Sequence, residues 1–213
     1  MFEVRRAEPG DEAGICRVCT AGWRDTYDDR HPEEYVDEVV DEYYTEERVA
    51  REIENPEGWD GWHVAVENEG IIGAAGGGLT DAETGEVYVL YVDPAAQRQG
   101  AGTSLLNAVT EEQVEAGATE QWVSVVDGNG VGTDFYRQHG FTVEGRREEE
   151  GESVASLRLQ RRIGEVDPEV PDPEAAGVDA PGSMIDEQDR ESREVRETGE
   201  PREAFEASGD SSE

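Results

Sequence analysis

The chain has 213 residues, and 53 acids against 18 basic residues give it a formal charge of −35. Every basic residue is arginine, so there is no phosphate-loop lysine, no Schiff-base amine and no Ser-x-x-Lys acylase; nor is there a basic patch to displace counterions from nucleic acid or an anionic membrane. Self-repulsion on this scale is tolerable when screened, and with a Debye length of about 3 Å at 1 M salt the composition points to an extreme halophile. Taken in order, the N-terminus Met-Phe-Glu-Val-Arg-Arg lacks the apolar stretch of a secretion signal, and no window approaches the ~20 apolar residues of a membrane span, so a cytoplasmic location is expected.

Alternation predicts a first strand over Phe2 to Ala7, and helical spacing predicts a helix from Asp11 to about Trp23. Cys16 and Cys19 fall on that helix as a C-x-x-C with no second ligand pair, which favours helix-face packing over redox or metal chemistry. Further helices are expected within Pro32 to Glu54, then strands at Trp62 to Glu67 and Ile71 to Gly76. The Ala75-Gly-Gly-Gly78 run reads as a strand end or a bulge. A strand from Glu86 to Val92, a helix from Thr103 to Ala116 and a strand from Gln121 to Val126 follow. After them come a helix around Val131 to His139 and two strands near Phe141 to Arg147 and Ser153 to Gln160. Leu105, Leu106, Val109 and Ala116 form one apolar stripe, so the Thr103 helix is expected to lie on a sheet. This succession fits a mixed α/β sheet with helices on both faces, over a domain of residues 1–163. Residues 164–213 carry 17 acids and four arginines among sparse apolar residues, which predicts a disordered acidic tail. Its simplest role is solubility in brine. A transient helix around Val195 to Phe205, or the pair Met184-Ile185, is the candidate contact for a protein partner.

Between the fourth strand and the following helix runs Tyr88-Val-Leu-Tyr-Val-Asp-Pro-Ala-Ala-Gln97-Arg98-Gln99-Gly100-Ala101-Gly102-Thr103. A strand, a sharp loop and a glycine-bearing helix start make an anion site, because the first helical N–H groups have no intrahelical partner and the peptide dipoles add. The N–H groups of about Arg98 to Thr103 are the candidates to close on a pyrophosphate. Arg98 is a candidate phosphate contact, or a solvated surface charge.

Downstream stands Asn129-Gly-Val-Gly132-Thr-Asp-Phe135-Tyr136-Arg-Gln-His-Gly140-Phe141. Gln-x-x-Gly-x-Gly after a strand ending Val-Asp-Pro, followed by Asn and then Phe-Tyr-x-x-x-Gly-Phe, resembles the acetyl-CoA signature of the GNAT superfamily of N-acetyltransferases. The likeness in element order covers about residues 2 to 160, with the sharp motifs at 86 to 102 and 129 to 141. It implies a GNAT-like, mostly antiparallel sheet of about seven strands flanked by helices, with central strands that splay around pantetheine. It also implies acetyl-CoA as co-substrate, bound by the backbone of Leu90, Tyr91 and Val92, by the Gln97 to Thr103 loop, and by Asn129, with Phe135 packed beneath. Gly132 stands where the family commonly has alanine.

Acetyl transfer to an amine needs a base to free the nitrogen lone pair and an acid for the departing thiolate. The resemblance assigns the acid to Tyr136, whose phenol has an ordinary pKa near 10, above that of a thiol; a plain core tyrosine is the competing reading. In some family members a Glu at the offset of Glu86 is the base, whereas in so acidic a chain a solvated carboxylate is the rival. Strand alternation would put Glu86, Tyr88, Leu90 and Val92 on one face. His31, His63 and His139 are isolated and form no metal-ligand pair. Trp23, Tyr27, Tyr35, Tyr43 and Tyr44, with Asp25, Asp28 and Glu34 nearby, suggest a wall for a small-molecule amine acceptor, or simply core and surface. The expected activity is direct acetyl transfer to a primary amine in a ternary complex. Its alternatives are acetylation of protein N-termini or side chains, and a non-catalytic acyl-CoA-binding module; a homodimer is left open. Deleting residues 164–213 should leave acetyl transfer near normal at molar salt, since no cofactor motif lies there. Loss of activity in a soluble, folded truncation would favour the interaction module.

Overall fold

The computed structural model of the chain describes residues 1–27, 33–56, 61–148 and 155–164. Strand β1 (Glu3–Arg6) leads into helices α1 (Glu12–Tyr27), α2 (Glu33–Tyr43) and α3 (Glu46–Glu54), then β2 (Gly61–Glu67), β3 (Gly70–Leu79) and β4 (Thr84–Val92). A short 3-10 turn, Pro94–Ala96, precedes α4 (Ala101–Glu115), β5 (Glu120–Val126), α5 (Gly130–Gln138), β6 (Thr142–Arg147) and β7 (Ser156–Arg162). The strands form one sheet in the order β1-β2-β3-β4-β5-β7-β6, antiparallel throughout except for β4 beside β5. This is the mostly antiparallel seven-stranded sheet expected. The final strand begins at Ser156 rather than Ser153, which with Asp28, His31 and all of the acidic tail beyond Gly164 lies outside the described residues.

Each face of the sheet has its own apolar layer. On one side Ile15, Val18, Cys19, Trp23 and Tyr27 of α1, with Val36, Val40 and Val49, pack on Val64, Ile71, Val89 and Tyr91. On the other, Leu105, Leu106 and Val109 of α4 and Phe135 and Tyr136 of α5 cover Val87, Leu90, Val92, Val123 and Leu159. The two cysteines are free and belong to helix packing: Cys19 is buried, and burial pushes the Cys16 thiol up to about 11, away from the thiolate that redox or metal chemistry requires.

Two local expectations are corrected. Helix α4 starts at Ala101, and its buried stripe is completed by Gln113, whereas Ala116 is the exposed C-cap. A fully buried amide is tolerable because its bonds are made: Gln113 Nε2 donates to the Glu86 carbonyl at 2.9 Å, and its Oε1 accepts from Gln121 Nε2 at 2.8 Å. The second correction concerns β4. The β3–β4 register shifts between Gly76 and Gly77, with Gly76 opposite Val89 and Gly77 opposite Val87, so Tyr88 is the extra residue of a bulge. Alternation therefore changes phase. Tyr88, Val89 and Tyr91 face α1, while Val87, Leu90 and Val92 face α4, so Glu86 does not share a face with Leu90.

The glycine run of β3 is the bulge site, and α4 approaches it closely. A methyl at Gly77 would sit 2.8 Å from Gln113 Nε2 and 3.0 Å from Val109 Cγ1, and would collide with the Glu86 carbonyl. Gly77→Ala should therefore destabilise the fold by about 1–3 kcal/mol in denaturant titrations at molar KCl. Gly145→Ala, whose methyl meets nothing within 4 Å, should be close to neutral.

Candidate active site

The parallel pairing of β4 with β5 covers Thr84 to Val87 against Glu120 to Val123 and then stops. Beyond it, β4 stays paired to β3 as far as Val92, and β5 to β7 as far as Val126. The two inner edges face each other as a wedge, closed near Glu86 and Val87 and open toward the C-terminal ends of both strands. Past Val87 no β4–β5 ladder is formed among the described residues. Such an edge can receive an extended, amide-bearing ligand as an added strand.

At the open end the Val-Asp-Pro sequence makes its turn. Asp93 Oδ1 accepts the Ala95 N–H at 2.9 Å, and Oδ2 accepts from Arg17 of α1 at 2.7 Å. The chain then reverses through two left-handed residues, Arg98 (φ +64°) and Gly100 (φ +86°). Gly100 is the N-cap of α4, and its glycine is needed for that φ. Arg98 holds the same conformation without that exemption, and its side chain is exposed. The first intrahelical bond runs from the Ser104 N–H to the Gly100 carbonyl at 3.0 Å, placing the N–H groups of Ala101, Gly102 and Thr103 ahead of the helical ladder. Gln97 is half-buried and Gln99 exposed in the same loop.

Helix α5 begins beside the wedge, where β5 ends. Asn129 is 3% exposed and caps it: Oδ1 accepts the Gly132 N–H at 3.0 Å, which assigns the amide orientation and leaves Nδ2 buried without a protein partner. One turn on, Phe135 and Tyr136 are fully buried in the layer that contains Leu90, Val92 and Ala101. The Tyr136 ring stands edge-on to Phe135 and Phe141, with centroids 5.1 and 5.3 Å away. Tyr91 lies on the opposite face, edge-on to Tyr44 and Trp23, so it offers the wedge its backbone rather than its ring.

The structure thus brings Leu90, Val92, Ala101, Phe135 and Tyr136 together in one layer on the α4 side, with the Gln97–Thr103 loop after the open end of β4, Asn129 at the start of α5 and Glu86 at the closed end of the wedge. An anion-accepting helix start, a strand edge past the end of its ladder and an orphaned buried amide suit a ligand that carries both phosphates and a chain of amides, as acetyl-CoA does.

The model of the acetyltransferase (GNAT) family matches residues 20–141. The chain belongs to that family, and is an acetyl-CoA-dependent acetyltransferase. It is 28% identical over 165 residues to the uncharacterised N-acetyltransferase YuaI of Bacillus subtilis, a match covering 75% of this chain and 90% of that protein. Among solved structures it resembles the PaiA N-acetyltransferase of Thermoplasma acidophilum in complex with coenzyme A. The TM-score is 0.67 at 22% identity, over 76% of this chain and 99% of that one. It also resembles YncA of Salmonella typhimurium, a structure holding acetyl-CoA, with a TM-score of 0.54 at 21% identity over 78% and 95% of the two chains.

Three side chains near this cleft were not singled out from sequence. His139, isolated by sequence, links the two helices: its Nδ1–H donates to the Phe135 carbonyl at 2.8 Å, so Nε2 accepts from the Thr103 hydroxyl at 3.1 Å. The Thr103 hydroxyl proton is therefore directed to His139. Arg161 donates to Thr110, Gln121 and the His139 carbonyl at 2.7, 2.9 and 2.8 Å, and lies over Phe141; burial brings its guanidinium down to about 10. Arg158, discussed below, pairs with Glu86. Helical and strand periodicity marks faces but not the register between strands, and it is register that brings these residues together.

Burial, chiefly, and the nearby Arg161 charge hold His139 below the ordinary imidazole value of 6.5, against the raising effect of the Phe135 carbonyl. The unfolded chain thus binds this proton more readily than the folded one. The stabilisation is complete above about pH 6.5 and drains away as pH falls through the lowered folded value. His139→Gln, which cannot be protonated, should show a smaller drop in denaturation midpoint than wild type between about pH 7.5 and about pH 5. Equal drops would remove His139 from the acid response.

Proposed function

We propose that the enzyme transfers the acetyl group of acetyl-CoA directly to the primary amine of a small molecule within a ternary complex. Glu86 takes a proton from the amine, and Tyr136 gives one to the departing thiolate. The nitrogen lone pair attacks the thioester carbonyl, so a C–N bond forms as the C–S bond breaks, with the nitrogen proton passing to the carboxylate and the phenolic proton to sulfur.

The observation that carries this reading is the wedge between β4 and β5. It closes beside Glu86, whose side chain lies on the α1 face, and Tyr136 belongs to the layer on the other face. An acyl chain entering from the α4 end would meet an acceptor arriving from the α1 side. Trp23 and Tyr27 are core residues, 2% and 0% exposed, so an acceptor wall on that side falls to the half-buried Tyr35, Tyr43 and Tyr44, with the exposed Asp25 and Glu34 to attract a cation.

Thiol release from acetyl-CoA, followed over a panel of free amines and of peptides with matched N-terminal residues in about 2 to 3 M KCl, tests the acceptor class. Free amines should lead; peptides exceeding every amine by tenfold in kcat/KM, about 1.4 kcal/mol of transition-state binding, would overturn the small-molecule reading. Tyr136→Phe should lower kcat by about 10²-fold with little change in acetyl-CoA affinity, and an unchanged kcat would remove the acid assignment.

A further inference from the structure

Three neighbouring strands place a polar row on the α1 face of the sheet. The β4–β5 register sets Glu86 opposite Trp122, and the β5–β7 register sets Ser124 opposite Arg158. Val87, Val123, Leu157 and Leu159 take the α4 face, so Glu86, Trp122, Ser124 and Arg158 share the other. Arg158 Nη1 donates to Glu86 Oε1 and, at 2.8 Å, to Ser124 Oγ, and its Cζ lies 5.3 Å from the centre of the Trp122 ring.

The Glu86 residue is 6% exposed, and a carboxylate that far from water is costly to leave without a cation against it. Arg158 is a charged group paired with it, and the Gln113 amide on its backbone carbonyl is neutral. Arginine suits this post. Its planar group stacks on an indole face while one nitrogen serves two acceptors, a combination that an ammonium on a flexible stem does not reproduce.

We propose that Arg158 is a positioning residue for acetyl transfer: laid over Trp122 and steadied by Ser124, it holds the Glu86 carboxylate in one orientation at the closed end of the wedge. The proposal rests on Glu86 being the base. A proton acceptor must be aimed, and truncating the partner of a buried side chain releases that aim.

A double-mutant cycle on the full chain at molar KCl tests it, with kcat and calorimetric acetyl-CoA affinity read for each variant. Arg158→Gln should lower kcat by about tenfold or more and leave cofactor affinity within about twofold of wild type. In a Glu86→Gln background the same substitution should cost nothing further, because the group through which it acts is gone. Ser124→Ala should give a smaller loss, and Arg158→Lys an intermediate one.

A full loss from Arg158→Gln in both backgrounds would overturn the proposal, as would a wild-type kcat in Arg158→Gln alongside an impaired Glu86→Gln, a result that leaves the base assignment standing. Wild-type kcat in Glu86→Gln itself would overturn both. Should Arg158→Gln fail to fold, Arg158→Lys and Ser124→Ala decide, and wild-type kcat in both rejects the idea.

Discussion

The early end of the β4–β5 pairing is the constraint on which the site depends. Four residues of parallel ladder bind the two halves of the sheet, and past Val87 the strands diverge, each keeping its outer partner. Backbone groups left in an apolar interior are costly, so such a gap persists where water or a ligand can reach it. The bulge at Tyr88 lies just past the last paired residue and turns the rest of β4 about its own axis. Leu90 and Val92 consequently pack with the α4 layer while the polar side chain of Glu86 is kept on the far side of the sheet. One extra residue thus divides a single strand into a segment whose Glu86 faces the α1 side and a segment whose Leu90 and Val92 face α4.

The charge balance sets how arginine is used. Arg5 with Asp11, Arg17 with Asp93, Arg48 with Glu52 and Arg146 with Asp127 pair each cation with acids drawn from a large surplus. Exposed pairs of this kind contribute little singly, and less when salt screens them. The arginines that carry structure are the ones withdrawn from water. Arg161 joins α4, β5 and the end of α5, and Arg158 joins β4, β5 and β7. Both rely on planar, multi-donor geometry that survives high ionic strength because it is partly buried.

Much of this architecture could be read from the chain. Element order followed from alternation and helical spacing, and the Gly100–Gly102 helix start and the Asn129 to Phe141 segment were recognisable because their chemistry is local: a left-handed N-cap, a side-chain cap, a buried aromatic pair. The parts that escaped are non-local. Gln113 was absent from the apolar stripe read for its helix, since nothing in that helix tells of the glycines at 77 and 85 that make room for it. The face of Leu90 relative to Glu86 was misjudged because a bulge is a property of two strands, not one. Arg158 and Arg161 became visible once the register of β7 against β5 set them beside their partners, and His139 once α5 was packed against the start of α4.

Asn129 offers a last consequence. Its carbonyl oxygen is spent on the first turn of α5, and flipping the amide to free it would present an N–H to the Gly132 N–H. The side chain therefore keeps one polarity, its Nδ2 donors, outside the cap. A lone pair arriving at Nδ2 is welcomed, whereas an incoming N–H meets another and finds no acceptor unless the helix start unravels. Any ligand group that reached that nitrogen would be sorted by the direction of its hydrogen bond, by the same residue that caps the helix carrying Tyr136.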